Sequence, residues 1–257
     1  MATLSRNKIS TIPGEALHLI DLLVAQRDDA YLVGGCVRDL VLGKQPHDYD
    51  ICTSLLPHKT INVLEQCGYR YTSVGIVFGT VVAIGKDSEE YEITTFRRDA
   101  ATSGKHRPDV VEFSRDVEQD LSRRDFTINA MALNTYSGKI LDFFGGINDI
   151  KNKVIRAVGD PNVRMQEDPL RILRALRFAI TLGFDIEDET FKAMEANRKL
   201  LDNVSKERIT AEFRKIFASG LPVRPMFLKC NKIIAQIIPE IKPCIRFNQN
   251  NRYHTHD

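Results

Sequence analysis

The sequence predicts an α+β head, a mixed sheet with helices, over residues 1–145, followed by an all-helical part over 146–257. Three observations carry this reading. The run Tyr31-Leu-Val33 reads as a strand that enters Gly34-Gly35 and then a helix, and an Asp48-x-Asp50 pair follows on an apolar strand. Two β-rich segments, 79–85 and 90–96, flank the polar turn Lys86-Asp87-Ser88. After Gly145-Gly146 the hydrophobic period becomes helical almost to the end of the chain.

Each element has its own signal. Residues 12–26 set Ala16, Leu19, Ile20 and Leu23 on one side of an amphipathic helix. Residues 37–42 are helical and stop at Gly43, a residue suited to a left-handed C-terminus. A strand at 49–52 and a helix at 60–67 come next, and then the β pair. Residues 97–109 are polar and basic and read as a mobile loop. A helix is expected over 127–133 and a strand over 139–143. Beyond 149 the helices break near Gly159-Asp-Pro161, Gly183 and Gly220-Leu-Pro222. No internal repeat interrupts this order.

A hydrophobic content of 43% and a charged content of 27% belong to a globular protein. The formal charge is only +2, from 36 basic and 34 acidic residues, so a nucleic acid would have to be held by clustered charge. Five cysteines without Cys-x-x-Cys spacing point to reduced thiols, hence a cytoplasmic location. No apolar run approaches the ~18 residues of a transmembrane helix, and the N-terminus lacks the apolar core of a signal peptide. The oligomeric state is left open.

Asp48 and Asp50 are two apart. On a strand alternate side chains share a face, so both carboxylates would point the same way. Adjacent anions repel unless a cation lies between them, and magnesium takes one or two carboxylates together with substrate phosphates. Glu92, on a neighbouring β segment, is a candidate third carboxylate. Taken alone, Asp-x-Asp after Pro46 also reads as a turn, and Glu92 as a solvent-facing strand residue. Gly34-Gly35 removes two side chains where a strand meets a helix. Backbone N–H groups and the positive end of the helix dipole can then face an anion. Gly35 is the expected contact, and Arg38, one turn into the helix, carries a fork of donors for the same phosphates. The alternative is a tight turn with Arg38 solvated.

Four blocks of the chain resemble one family. They are Leu32-Val-Gly-Gly-Cys-Val-Arg-Asp39, Asp48-Tyr-Asp-Ile-Cys-Thr53, Arg123-Arg-Asp-Phe-Thr-Ile-Asn-Ala-Met131 and Gln166-Glu-Asp-Pro-Leu-Arg-Ile-Leu-Arg-Ala-Leu-Arg-Phe178. Their order is that of the class II tRNA nucleotidyltransferases and poly(A) polymerases, within the nucleotidyltransferase superfamily that includes DNA polymerase beta. The resemblance covers nearly the whole chain. It implies a DNA polymerase beta-like head, a helical neck and partial body for base recognition and RNA binding, and Mg²⁺ held by Asp48 and Asp50. It also implies CTP and ATP as substrates and the tRNA 3′ end as acceptor. Arg124 is assigned to nucleotide contact, and Asp125 and Asn129 to ribose or structural support; a helix cap flanked by surface arginines is the alternative for this block.

The last block also supports a direct argument. From Asp168-Pro169 a helix would place Ile172, Leu173, Leu176, Ala179 and Ile180 on one stripe, with Arg171, Arg174 and Arg177 opposite. Cytosine and adenine each offer an exocyclic amine beside a ring-nitrogen acceptor. Asp168 can accept from the amine and Arg171 can donate to the ring nitrogen. Uracil and guanine mismatch both, at a cost on the order of 10³-fold in rate. The resemblance gives Asp168 and Arg171 this role, and Arg174 and Arg177 supporting or phosphate roles. Periodicity alone favours a solvated basic face capped by Asp168; the resemblance turns the reading to base recognition.

The resemblance further implies that CC-only enzymes shorten the region of 97–109, which here has good length. That length argues against CC-only activity, and the unbroken block Asp120-Leu-Ser-Arg-Arg-Asp-Phe-Thr-Ile-Asn-Ala130 resembles the tRNA enzymes, so CCA addition is expected. A-only addition, poly(A) synthesis and a non-catalytic RNA- or nucleotide-binding module are the alternatives. Lys199, Lys206, Arg208, Arg214, Lys215, Arg224 and Lys229 are scattered over the helical part and read mostly as solvated faces. The end of the chain, with His254, His256 and Asp257, resembles the opening of a further helical region in relatives and is not expected to bind metal.

Overall fold

The computed structural model of the protein describes residues 2–98, 111–245 and 247. Most of the loop expected at 97–109, and His254, His256 and Asp257, lie outside those residues. The chain divides into two compact units, Met1–Asn152 with Arg156–Gly159, and Lys153–Ile155 with Asp160–Asp257.

The first unit opens with α1 (Arg6–Ile9) and α2 (Gly14–Val24), whose Ala16, Leu19, Ile20 and Leu23 are buried as the periodicity requires. Strand β1 (Ala30–Val33) leads into α3 (Gly35–Leu42), which ends at Gly43 in the left-handed conformation. Strand β2 (Ile51–Thr53) and α4 (Pro57–Gln66) follow. The hairpin strands β4 (Thr80–Ile84) and β5 (Glu90–Thr95) come after the short β3 (Arg70–Thr72). In β4 and β5 buried and exposed residues alternate, the signature of strands with one face on the core.

Arg97 and Arg98 form β6 (Arg97–Arg98), paired with β7 (Glu112–Phe113), so the first two residues of the expected loop are in a strand. Next are α5 (Val117–Ser122), β8 (Ala132–Leu133), β9 (Ile140–Leu141) and α6 (Gly146–Asn152). Among the described residues the main sheet has seven strands, ordered β3-β4-β5-β2-β1-β8-β9. Only the β2–β5 pair is parallel, which makes the sheet mixed.

The helix expected over 127–133 is absent. Thr127–Asn129 make one 3₁₀ turn, and Ala132 and Leu133 pair with Val33 and Leu32. Residues 128–133 are buried on every side, so their hydrophobic pattern had no period to distinguish helix from strand. Pairing with β1 decided the outcome. Val33, Cys52, Phe96, Leu121, Ala130, Ala132 and Val158 form one buried cluster beneath the site described below.

The second unit holds α7 (Pro161–Glu167), α8 (Leu170–Leu182), α9 (Asp188–Asn197), α10 (Lys206–Ala218), α11 (Arg224–Lys229) and α12 (Asn231–Ile237). The stripe Ile172, Leu173, Leu176, Ala179 and Ile180 of α8 is buried. The helical unit carries one addition, a parallel pair of two-residue strands, β10 (Val154–Ile155) and β11 (Asp185–Ile186). No helix among the described residues is long and apolar enough to cross a membrane.

Candidate active site

Asp48 and Asp50 lie just ahead of β2 and not within it. The backbone is nonetheless extended there, because Val33 N donates to Asp50 O at 3.0 Å. Tyr49 is buried between two more exposed neighbours, so the alternation expected of a strand persists. The Asp48 side chain is 82% exposed, with Oδ1 3.0 Å from His47 Nδ1. Asp50 is set deeper. Burial pushes its carboxyl up to about 6, with Glu92 and Asp48 adding repulsion and Arg124 opposing it. Glu92 and Asp48 are thus each near enough to act on Asp50.

Glu92 reaches this region through the sheet. Ile51 of β2 is in register with Ile93 of β5, so Asp50 and Glu92 stand one residue before matched positions. Both isoleucines are buried, which turns the residues before them to the opposite face. Among the described residues no cluster of three or more His, Cys, Asp or Glu could by itself hold a metal ion. The donors are nonetheless hard oxygens around an under-compensated buried carboxylate. That set fits a magnesium ion completed by substrate phosphates.

Gly34 is the sharp point of the turn. Its φ of 80° and ψ of −130° are open only to glycine without strain. A Cβ on Gly34 would lie 3.0 Å from Arg124 Nη1 and 3.9 Å from Asp50 Oδ2. Arg124, Asp50 and the bare Cα of Gly34 thus converge on one spot. Gly35 begins α3, where the first turn of a helix leaves N–H groups without helical acceptors. A Cβ on Gly35 would meet only Arg38 Nη2, at 3.6 Å.

The buried Arg38 guanidinium is engaged within the protein. Nε donates to Asp39 Oδ1 (2.9 Å) and Nη1 to Asn129 Oδ1 (2.8 Å). Asn129 Nδ2 donates to Asp125 Oδ1 at 3.1 Å, which also accepts from Phe126 N at 2.8 Å. Arg38, Asn129 and Asp125 therefore form one buried polar chain, brought together by the 3₁₀ turn and not by a helix face. Such a network is worth having only when its members are satisfied, and here it fixes the side of the turn.

Arg124 is held differently. Its Nη2 donates to Asp120 Oδ2 at 3.3 Å, while its buried Nε has no hydrogen-bond partner. Burial alone would lower the guanidinium pKa, but Asp120 and Asp50 outweigh it and raise the value. Asp120 itself was not singled out from the sequence. Its spacing of three and four to Arg123 and Arg124, ion pairs along one helix turn, was the available signal.

In the second unit, Asp168 Oδ1 accepts from Leu170 N (3.2 Å) and Oδ2 from Arg208 Nη2 (2.8 Å). Arg171 Nη1 donates to Glu167 Oε2 (2.6 Å) and to Arg164 O (2.9 Å). The Arg177 Nε donates to the buried Glu212 Oε2 at 2.6 Å, and its guanidinium lies 4.1 Å from the Phe178 ring centroid. Arg174 sits 5.5 Å from the same ring centroid. The arginine face is thus not a plain solvated one. Arg208 and Glu212, one turn apart on α10, tie Asp168 and Arg177 to that helix. Arg208 lies 40 residues from Asp168, and no local spacing could reveal the pair.

Comparison with known proteins agrees with this architecture. Residues 30–156 match the family model described as the poly A polymerase head domain, and residues 183–245 match the probable RNA and SrmB-binding site of polymerase A. A CCA-adding enzyme of Enterococcus faecalis is 47% identical over 212 residues, covering 81% of this chain and 51% of that protein. A Bacillus stearothermophilus CCA-adding enzyme in complex with CTP superposes with a TM-score of 0.74 at 40% identity, over 84% of this chain and 51% of that one. A Thermotoga maritima CCA-adding enzyme complexed with tRNA superposes with a TM-score of 0.76 at 26% identity, over 93% of this chain and 56% of that one. The chain spans about half the length of these relatives. With both domain matches in order along it, the chain belongs to the poly A polymerase head-domain family of the nucleotidyltransferase superfamily.

Proposed function

We propose that the protein transfers CMP and AMP from CTP and ATP to the 3′ end of tRNA, without a nucleic-acid template, releasing pyrophosphate. One observation carries the reading: Arg124 Nη1 and Asp50 Oδ2 both lie within 4 Å of the position a Gly34 side chain would occupy. A guanidinium and a carboxylate then flank the bare backbone of the turn. The similarity to CCA-adding enzymes, one in complex with CTP and one complexed with tRNA, supports the choice of substrates.

In this reading the turn at Gly34-Gly35 and the fixed fork of Arg124 bind the triphosphate and orient its α-phosphorus. Arg38, Asn129 and Asp125 brace the turn and the ribose side. Asp48 and Asp50, with Glu92 as a third oxygen donor, hold Mg²⁺. Held there, Mg²⁺ would supply Lewis-acid activation of the attacking hydroxyl and charge to stabilise the departing pyrophosphate. The 3′ oxygen forms its bond to the α-phosphorus as the bond between the α- and β-phosphates breaks. Asp168 accepts from the exocyclic amine of cytosine or adenine and Arg171 donates to the ring nitrogen, with Arg174 and Arg177 in support. Residues 1–145 supply the chemistry, and residues 146–257 supply base choice and RNA contact.

A cytoplasmic location is part of the proposal. Cys36, Cys52 and Cys230 are free and buried. Burial pushes the Cys36 and Cys230 thiols up to about 12, which keeps them protonated and inert.

The decisive assay offers tRNA ending at the discriminator base, at C or at CC, with each labelled NTP and Mg²⁺. CMP followed by AMP incorporation supports CCA addition. AMP on CC ends alone indicates an A-adding enzyme, AMP runs on unrelated RNA indicate poly(A) synthesis, and bound nucleotide without transfer indicates a binding module.

A further inference from the structure

We propose that Asp120 is a positioning residue for the nucleotide's phosphates: its carboxylate fixes Arg124 so that one edge of the guanidinium faces the turn at Gly34. The inference rests on the reading that this turn receives a nucleoside triphosphate, and it assigns the geometry of phosphate binding to a residue that touches no substrate.

Asp120 lies in α5 and is fully buried, at 0% exposure. Its Oδ1 accepts from Arg123 Nη2 (2.6 Å) and Nε (3.1 Å), and from the backbone Arg97 N at 3.4 Å. Its Oδ2 accepts from Arg124 Nη2 at 3.3 Å. The two oxygens thus divide the labour: one locks the carboxylate to Arg123 and to β6, the other holds Arg124. With Nη2 tied back, Arg124 presents Nη1 to the turn, 3.0 Å from the position of a Gly34 Cβ. The buried Nε, without a partner, marks a guanidinium whose donors are not saturated by the protein.

A buried aspartate between two arginines could be no more than charge compensation. The geometry argues for more. Arg123 makes both of its bonds to Asp120 through Oδ1, and Oδ2 is turned to Arg124 Nη2, so the second oxygen orients Arg124 while both arginines offset the charge. Arginine is suited to phosphate because its planar fork can meet two oxygens at once, and that advantage is lost if the fork can rotate. Ordering it in advance removes an entropic cost from binding. Asp120 therefore orders the fork before the nucleotide arrives.

The test compares the full-length chain with Asp120→Asn, Arg124→Gln and the double variant, measuring steady-state nucleotidyl transfer and calorimetric CTP binding. Asp120→Asn is expected to raise the KM for both CTP and ATP about tenfold or more while kcat changes less than about threefold. In the Arg124→Gln background the same substitution is expected to have almost no further effect, because its route to the nucleotide is gone. A purely structural role would instead lower kcat/KM by the same factor in both backgrounds, and that result overturns the proposal. If Arg124→Gln binds CTP like the parent protein, the phosphate-turn reading itself fails, which is a separate and recognisable result. Should Asp120→Asn not fold, Arg124→Lys decides. It keeps the charge but not the held fork, so CTP affinity is expected to fall nearly as far as in Arg124→Gln. Parental affinity in Arg124→Lys overturns the proposal.

Discussion

Asp50, which immediately precedes β2, and Glu92 of β5 each stand one residue ahead of the Ile51–Ile93 register pair of two parallel strands. After burial, the charge of Glu92 is the largest influence that lifts the Asp50 carboxyl to about 6. The sheet itself, through its single parallel pairing, gathers the acidic groups. A carboxylate placed this way is costly to fold around while it carries its charge.

That cost has a definite pH dependence. The folded protein binds the Asp50 proton more tightly than the unfolded chain, whose ordinary value is 3.8. The stabilising share of Asp50 is thus fully present below that value and is lost as pH rises through about 6. In chelator, Asp50→Asn is expected to be more stable than the parent at pH ~8 by about 2 kcal/mol, with the two converging below pH ~4. Urea unfolding across this range measures it, and a variant no more stable at the alkaline end contradicts the placement of Asp50.

The two glycines of the turn are not equivalent. Gly34→Ala forces a side chain onto a φ of 80° and within 3.0 Å of Arg124 Nη1. It is expected to cost about 1–3 kcal/mol of stability and to weaken CTP binding. Gly35→Ala meets only the end of Arg38, at 3.6 Å, and is expected to fold normally. Equal effects of the two substitutions on thermal unfolding would refute this distinction.

Base choice is assigned to Asp168. Removing its carboxylate by Asp168→Ala is expected to narrow the preference for CTP over UTP at least about tenfold while leaving Mg²⁺ affinity near the parental value. Competition between labelled NTPs reads the ratio directly, and an unchanged ratio removes Asp168 from base reading.

Arg177 makes a different prediction. Its partner Glu212 is almost completely buried, so Glu212→Ala removes a 2.6 Å ion pair between α8 and α10. A loss of about 3–5 kcal/mol in unfolding free energy is expected. Preserved stability in urea unfolding would show that the Arg177–Glu212 pair does not hold α8 to α10.

Much of this was legible in the sequence where a local pattern maps onto local geometry. The Gly34-Gly35 turn, the hairpin of β4 and β5, and the buried stripe of α8 each depend on periods or residue types within one element. The segment 127–133 was misread because burial on all sides erases periodicity, and only pairing with β1 selects a strand. At the candidate site, sequence spacing brought Asp48 near Asp50 but could not rank their exposure. It also could not see that Arg38 is spent on Asp39 and Asn129 while Arg124 is aimed at Gly34. Those outcomes depend on contacts across the sheet and between distant segments, as does the hold of Arg208 on Asp168.

The most direct test is single-turnover transfer of labelled CMP to tRNA lacking its CCA end, comparing the parent protein with Asp50→Asn at rising Mg²⁺. The account predicts transfer that requires Mg²⁺ in the parent and falls about 10³-fold or more in the variant, which still binds CTP. Transfer by Asp50→Asn at the parental rate, or parental transfer undiminished in excess chelator, would contradict it.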